Sequence, residues 1–234
     1  MPLYRAAKVK FARLMRRHVG TPSPTAIETL ERLDRENVKR FGFSAHRFPT
    51  SMAESYVRLA EATGQRPDPR VRARVKAVAA NVFQLPARRI NGAKSVLSLL
   101  RGNGFAMVLC TKGDDDVQRS RICASGVSRF FDKVYVVPQK AEPEFIDILG
   151  EQHVDPTEAC SIGDSVRSDI NPAITLGMSA VWIKKENWSF ETECVLPTRR
   201  LNVIADLRDL PHTIGAVQIA LAGGHAYECS QAGV

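Results

Sequence analysis

The stretch "CSIGDSVRSDI", Cys160 to Ile170, sets two aspartates five residues apart, Asp164 and Asp169, where a short run of small and apolar residues gives way to polar ones. Two other places hold reactive groups in similar settings. "FAMVLCT" runs from Phe105 to Thr111 and is followed by Lys112 and Gly113, and Lys140 stands just before Pro143 and Glu144. Hard carboxylate oxygens suit Mg²⁺. An ammonium can neutralise charge developing on a phosphoryl group, and a hydroxyl can donate to a phosphate oxygen. Taken together the groups describe magnesium-assisted phosphate chemistry. Taken singly each has a plainer role: Thr111 as a strand-end cap, Lys140 as a solvated lysine, the aspartates as complements to a helix N-terminus.

Such groups meet only if the right elements carry them. In open parallel sheets, ligands bind beyond the carboxyl ends of the strands. "FAMVLCT" is apolar without alternation, which predicts a strand covered on both faces. "KVYVV" (133–137), "ACSIGD" (159–164) and "SAVWI" (179–183) predict three more strands. "LNVIADLRDL" predicts a weak edge strand or the start of a last helix. Helical patterns separate them: "GAKSVLSLLRGNG", "DDDVQRSRICASG", "PEFIDILGEQHV" and "SDINPAITLG". Alternation of this kind predicts right-handed crossovers and a parallel sheet with helices on both faces.

No strand is predicted before residue 104. Pro2 to Val19 is amphipathic and basic. Helices follow over "TPSPTAIETLERLDRENVKRF", over "TSMAESYVRLAEATG" with a Thr/Ser start, and over "DPRVRARVKAVAANVF". In the last of these Val71, Val75, Val78 and Val82 recur at helical spacing. The division is a helical part over 1–88, an α/β part over 89–212 and a tail over 213–234. Trp182 and Trp188, near the last strand, read as core.

The 234 residues are enough to bury a real core. Residues 1–101 carry 21 Lys/Arg against 7 Asp/Glu, and residues 102–234 carry 12 against 18. The basic half could attract anionic substrates or nucleic acid, or be a solvated helical surface. It has no interleaved aromatics and no nucleic-acid-binding motif, so nucleic acid is disfavoured but left open. The five cysteines form no CxxC pair, which points to reduced thiols. No apolar run reaches the ~20 residues of a membrane span. A cytoplasmic protein is the expectation.

The motifs resemble those of the haloacid dehalogenase-like (HAD) hydrolases over roughly residues 90–185. "FAMVLCTKGD" looks like the family's second motif, Lys140 in "KAEPEFIDIL" like the third, and "SIGDSVRSDINPAITLGMSAVWI" like the fourth. The resemblance implies a Rossmann-like α/β core, with the helices before residue 90 as a helical cap. It implies Mg²⁺ held by Asp164 with Asp169 assisting. Thr111, with Lys112 and Gly113, would bind phosphoryl oxygens, and Lys140 would steady nucleophile and phosphate. The substrate would be a small phosphorylated metabolite.

The family's first motif, DxDxT/V at the end of a first strand, has no match. "LDREN" at 33–37 sits inside a helical pattern, and "DDD" at 114–116 belongs to the helix after Thr111. Without its aspartyl nucleophile, transfer through a carboxyl phosphate has no first step. Two expectations compete: a phosphatase whose N-terminal strand is missing from this sequence, or a non-catalytic binding protein using its basic helices on an anionic partner. Loss of that central strand predicts that its neighbours are left unpaired or close up.

Overall fold

The computed structural model describes residues 2–85, 89–185 and 193–215. Four helices open the chain: α1 (Pro2–Val19), α2 (Ser23–Phe41), α3 (Arg47–Ala62) and α4 (Pro69–Gln84). Each turns one apolar stripe inward. Phe11, Met15, Leu30, Phe48, Met52 and Val75 are wholly buried in a single cluster. Arg47 and Asp34 form an ion pair within it, so neither charge is buried alone. Helix α3 begins three residues before the expected Thr50. Ser51, read with Thr50 as a start signal, serves inside the helix instead, its Oγ donating to Arg47 O (2.9 Å).

Strands and helices then alternate: α5 (Ala93–Gly102), β1 (Val108–Lys112), α6 (Asp115–Ser125), β2 (Lys133–Val137), α7 (Glu142–Gln152), β3 (Cys160–Gly163), α8 (Asn171–Thr175), β4 (Ser179–Ile183) and β5 (Leu201–Ile204). The α/β class expected from the sequence is therefore the class observed. Strand β1 starts later than Phe105. The Phe105 N–H is taken by Leu100 O at the end of α5, and Met107 exchanges bonds with Asp132, leaving nothing for a ladder. Its residues are half-buried rather than covered on both faces. Strand β3 is likewise shorter at both ends than "ACSIGD", and β5 is the weak edge strand.

The strands group as two sheets, β1-β2 and β3-β4-β5. The second is parallel, Gly163 standing beside Trp182 in β4, and β4 beside β5. Strands β1 and β2 finish together, with the Gly113 N–H on Val137 O (3.0 Å). No ladder joins the two sheets among the described residues, so β3 is an edge strand, one of the two outcomes expected for strands without a central neighbour. Buried β4, paired on both sides, contrasts with β3, where Ile162 is exposed.

By compactness the chain divides into two units, one of residues 1–88, 110–128 and 135–138, the other of residues 89–109, 129–134 and 139–234. In the second, Phe145 and Leu149 of α7 pack with Ala173 of α8 and Met178. Among the described residues, no helix is long and apolar enough to cross a membrane. The tail beyond residue 215, and Trp188, lie outside the described residues.

Candidate functional site

Strand β3 ends on Gly163, and the chain turns at Asp164. A regular helix was expected from Ser168. The structure has a π-helical turn over Val166–Ile170, followed by the short α8. Two features produce it. Pro172 lacks an N–H and its ring crowds the carbonyl four residues back, so the helix cannot pass through it regularly. Ser165 also gathers the incoming turn: its carbonyl accepts from Asp169 N (2.8 Å) and Ile170 N (3.3 Å), and its hydroxyl accepts from Ser168 N (3.0 Å). The widened turn brings Asp169 back over the strand end. π-turns of this kind recur at functional sites.

Asp169 is buried and engaged on every side. Its carboxylate forms an ion pair with Lys140 and accepts from Ser165 N (3.0 Å), while Ser161 Oγ donates to its main-chain carbonyl (2.8 Å). Its carboxyl lies so close to Gly163 that a Cβ there would overlap it. That overlap explains a glycine at the strand end. Lys140 reaches the site from the turn before α7, where Glu144 accepts the Ala141 N–H (3.1 Å) and fixes the helix start. The structure thus brings Lys140, Asp164 and Asp169 together in one unit.

Asp164 is held differently. Its main-chain carbonyl accepts the indole N–H of Trp182 (3.2 Å). Burial pushes its carboxyl above the ordinary aspartate range, and the neighbouring Asp169 pushes it further, with Lys185 and Lys140 pulling the other way. A desolvated carboxylate beside a second carboxylate attracts a cation. Among the described residues no group of three His, Cys, Asp or Glu could hold a metal. Mg²⁺ commonly takes only one or two carboxylates and completes its shell with waters and substrate phosphates. The two carboxylates at this turn match that number of protein ligands, Asp164 being the desolvated one.

Thr111, Lys112 and Gly113 lie in the other unit, at the end of β1. Thr111 is half-buried. The Lys112 ammonium sits 4.2 Å from the centre of the Phe43 ring. Gly113 has φ +135°, a conformation that favours glycine, and Asp114 caps α6 through the Val117 N–H (3.4 Å). Two residues with parts in the acidic turn, Ser161 and Ser165, were not singled out from sequence, and Trp182, read as core, is half-buried with no part at the turn foreseen for it. Ser161 had a usable signal, since it lies two positions before Gly163 and so on the same face of β3. Trp182 had none, because its link to Asp164 runs through the register of β3 on β4.

A model of the haloacid dehalogenase-like hydrolase family matches residues 43–183, reaching earlier into the helices than the motifs did. Glyceraldehyde 3-phosphate phosphatase of Pyrococcus abyssi is 33% identical over 102 residues, 42% of this chain and 43% of the relative. Phosphoserine phosphatase of Thermus thermophilus is 30% identical over 98 residues (40% and 39%), and N-acylneuraminate-9-phosphatase of Rattus norvegicus 28% over 130 (52% and 51%). The chain spans about half or less of the length of these curated relatives. A haloacid dehalogenase-like family hydrolase from Xanthomonas campestris superposes with a TM-score of 0.80 at 24% identity, over 95% of this chain and 88% of that one. The putative HAD-hydrolase YfnB from Bacillus subtilis, bound to magnesium, gives a TM-score of 0.60 at 19% identity, over 91% and 92%. These structural likenesses bear on the fold. The family match, which takes in well over half of the 234 residues and the whole acidic turn, places this chain among the haloacid dehalogenase-like hydrolases.

Proposed function

We propose that this chain belongs to a magnesium-dependent phosphatase acting on a small phosphate monoester. The observation that carries the proposal is the acidic turn: half-buried Lys140 paired with buried Asp169, beside the desolvated carboxyl of Asp164. Phosphatases among the relatives support the reaction class. Their substrates differ among themselves, so they support a small phosphorylated metabolite and no particular one.

In this reading Asp164 holds Mg²⁺ and Asp169 holds Asp164's turn and Lys140 in place. Bound magnesium would neutralise phosphate charge and polarise the phosphoryl group. Lys140 supplies a fixed positive charge at the same turn, and its pairing with Asp169 limits where that ammonium can go. Thr111, from the motif it stands in, donates its hydroxyl to a phosphoryl oxygen, with Lys112 and the Gly113 turn beside it. The reading needs an aspartyl nucleophile, and no residue of this sequence stands in the DxDxT/V pattern that would supply one.

The test is hydrolysis of an aryl phosphate by this chain and by one extended with the codons upstream, each with and without Mg²⁺ and each beside Asp164→Asn. Magnesium-dependent turnover by the extended chain alone, lost in Asp164→Asn, is the expected result. Turnover that ignores both Mg²⁺ and the substitution removes the proposal. An upstream sequence with no aspartate-bearing strand turns the choice to the non-catalytic reading.

A further inference from the structure

Helices α1 and α4 contain no acidic residue, and they pack against each other. Two contacts fix their direction. The side chain of Gln65, just before α4, donates to Val19 O at the end of α1 (3.4 Å), and the Tyr4 ring meets the Phe83 ring at 6.1 Å. The helices are therefore antiparallel, and each step forward along α1 is a step back along α4. Counting from Tyr4 and Phe83 puts Arg13 level with Arg74 and Arg17 level with Arg70.

Helical spacing turns these side chains to the same seam. Lys8 marks the α2 side of α1 by its ion pair with Glu31 (2.7 Å). At about 100° per residue, Arg17 points half a turn away from it and Arg13 nearly so. On α4, Arg72 and Lys76 line a cleft with Thr50 and Glu54 of α3. Arg70 and Arg74, two residues from Arg72 on either side, are turned about 160° from it and so away from α3. All four arginines are exposed, and none makes an ion pair among the described residues. The nearest carboxylate in this register is Asp68, and it caps the Arg70 N–H (2.7 Å).

We infer that the α1/α4 face, centred on Arg13, Arg17, Arg70 and Arg74, is a docking surface for the phosphate backbone of a nucleic acid. Like charges facing each other across a helix pair repel, and a polyanion removes that cost. The helix axes lie about 8–10 Å apart and each pair of arginines spans about 6 Å along its helix. A duplex offers one phosphate charge per about 1.7 Å of its axis, dense enough to engage all four. Arginine rather than lysine forms the whole quartet, and its planar fork matches phosphate oxygens two at a time. A lipid surface fits less well, because the apolar sides of both helices are spent in the core around Phe11, Met15, Val71 and Val75. No base-reading element accompanies the patch, so binding is independent of sequence. The inference stands apart from the phosphatase reading.

The test is fluorescence anisotropy with a labelled random-sequence duplex, using the full chain at rising salt. Four phosphate contacts give a log–log slope of about −3.6, a loss of roughly 100-fold between 50 and 200 mM salt. The quadruple variant R13Q/R17Q/R70Q/R74Q, its fold checked by circular dichroism, should lose most affinity at 50 mM and most of the slope. The control R72Q/K76Q changes two charges on the opposite side of α4 and should keep both. Absence of saturable binding at 25 mM salt overturns the proposal, as does an equal effect in the control. Binding to anionic phospholipid vesicles with none to the duplex also overturns it, and reassigns the surface to lipid.

Discussion

Lys140 and Asp169, 29 residues apart in the chain, close on each other at the end of β3, and the carboxylate of that pair occupies the space a side chain at position 163 would need. Asp169 is buried and Lys140 half-buried, so the two charges depend on each other. The same contact links three local features, a glycine at the strand end, a π-helical turn and a lysine before α7, into one arrangement around Asp164.

Gly163→Ala should therefore displace Asp169 rather than be absorbed. Overpacking of this kind typically costs about 1–3 kcal/mol. Here the displaced group also loses its bonds to Lys140 and the Ser165 N–H. Urea unfolding of Gly163→Ala should show a loss at or above the top of that range. Unchanged stability would mean the carboxylate has somewhere else to go.

Removing one partner of the ion pair should cost more than removing both. Lys140→Met leaves the Asp169 carboxylate buried without its cation, a change typically worth about 3–5 kcal/mol. The double variant Lys140→Met/Asp169→Leu should recover part of that loss, because no charge then stays buried. A double-mutant cycle by chemical denaturation gives the coupling. Strictly additive effects would show that the pair is solvated in solution.

Much of this turn is legible in the sequence, and the reasons are physical. Asp164, Asp169, Lys140 and Thr111 stand at strand and helix boundaries marked by Gly163, Pro143 and Gly113, and such punctuation is local. The strands "KVYVV" and "SAVWI" were bounded correctly: Asp132 is tied to Met107 before the first, Pro138 after it has no N–H to continue a ladder, and the Met178 N–H before the second goes to Ala173 O. Phe105–Met107 was misread because distant partners, Leu100 and Asp132, take its hydrogen bonds. The π-turn was misread because its cause is joint: Pro172 forbids the regular path, and Ser165 captures two amides from further along. Grouping into two sheets depends on which strands find partners, and hydrophobic patterning within a strand carries no such information.

The carboxyl of Asp164 sets a pH dependence of defined sign. Burial, and then Asp169, raise its folded pKa above the ordinary 3.8. Its contribution to stability is full below that ordinary value and is lost as pH rises through the raised folded value. Asp164→Asn mimics the protonated form. Without metal, the variant should be more stable than the parent at pH 7, and the gap should narrow as pH falls toward 4. Magnesium should reverse the order at pH 7. At ten times its dissociation constant a ligand stabilises by about 1.4 kcal/mol, which for a chain of this size is a rise of about 3–6 °C in Tm. The parent should show that rise and Asp164→Asn should not. Equal magnesium shifts in both would remove Asp164 from the metal site.

Trp182 extends the argument from ligand to support. Its indole N–H on the Asp164 carbonyl is a bond from the buried central strand of the three-stranded sheet to the turn that carries the metal candidate. Trp182→Phe keeps an aromatic ring in β4 and removes the donor together with part of the indole's bulk. Loss of the bond itself should cost about 0.5–1.5 kcal/mol, with lost packing added to it. A purely structural bond would lower Tm equally with and without magnesium. A bond that fixes Asp164 should do more: the magnesium-induced rise in Tm should begin at several-fold higher metal concentration, because binding must then also order the turn. Thermal melts across a magnesium titration separate the two. A parallel downward shift with an unchanged midpoint in magnesium would confine Trp182 to the sheet.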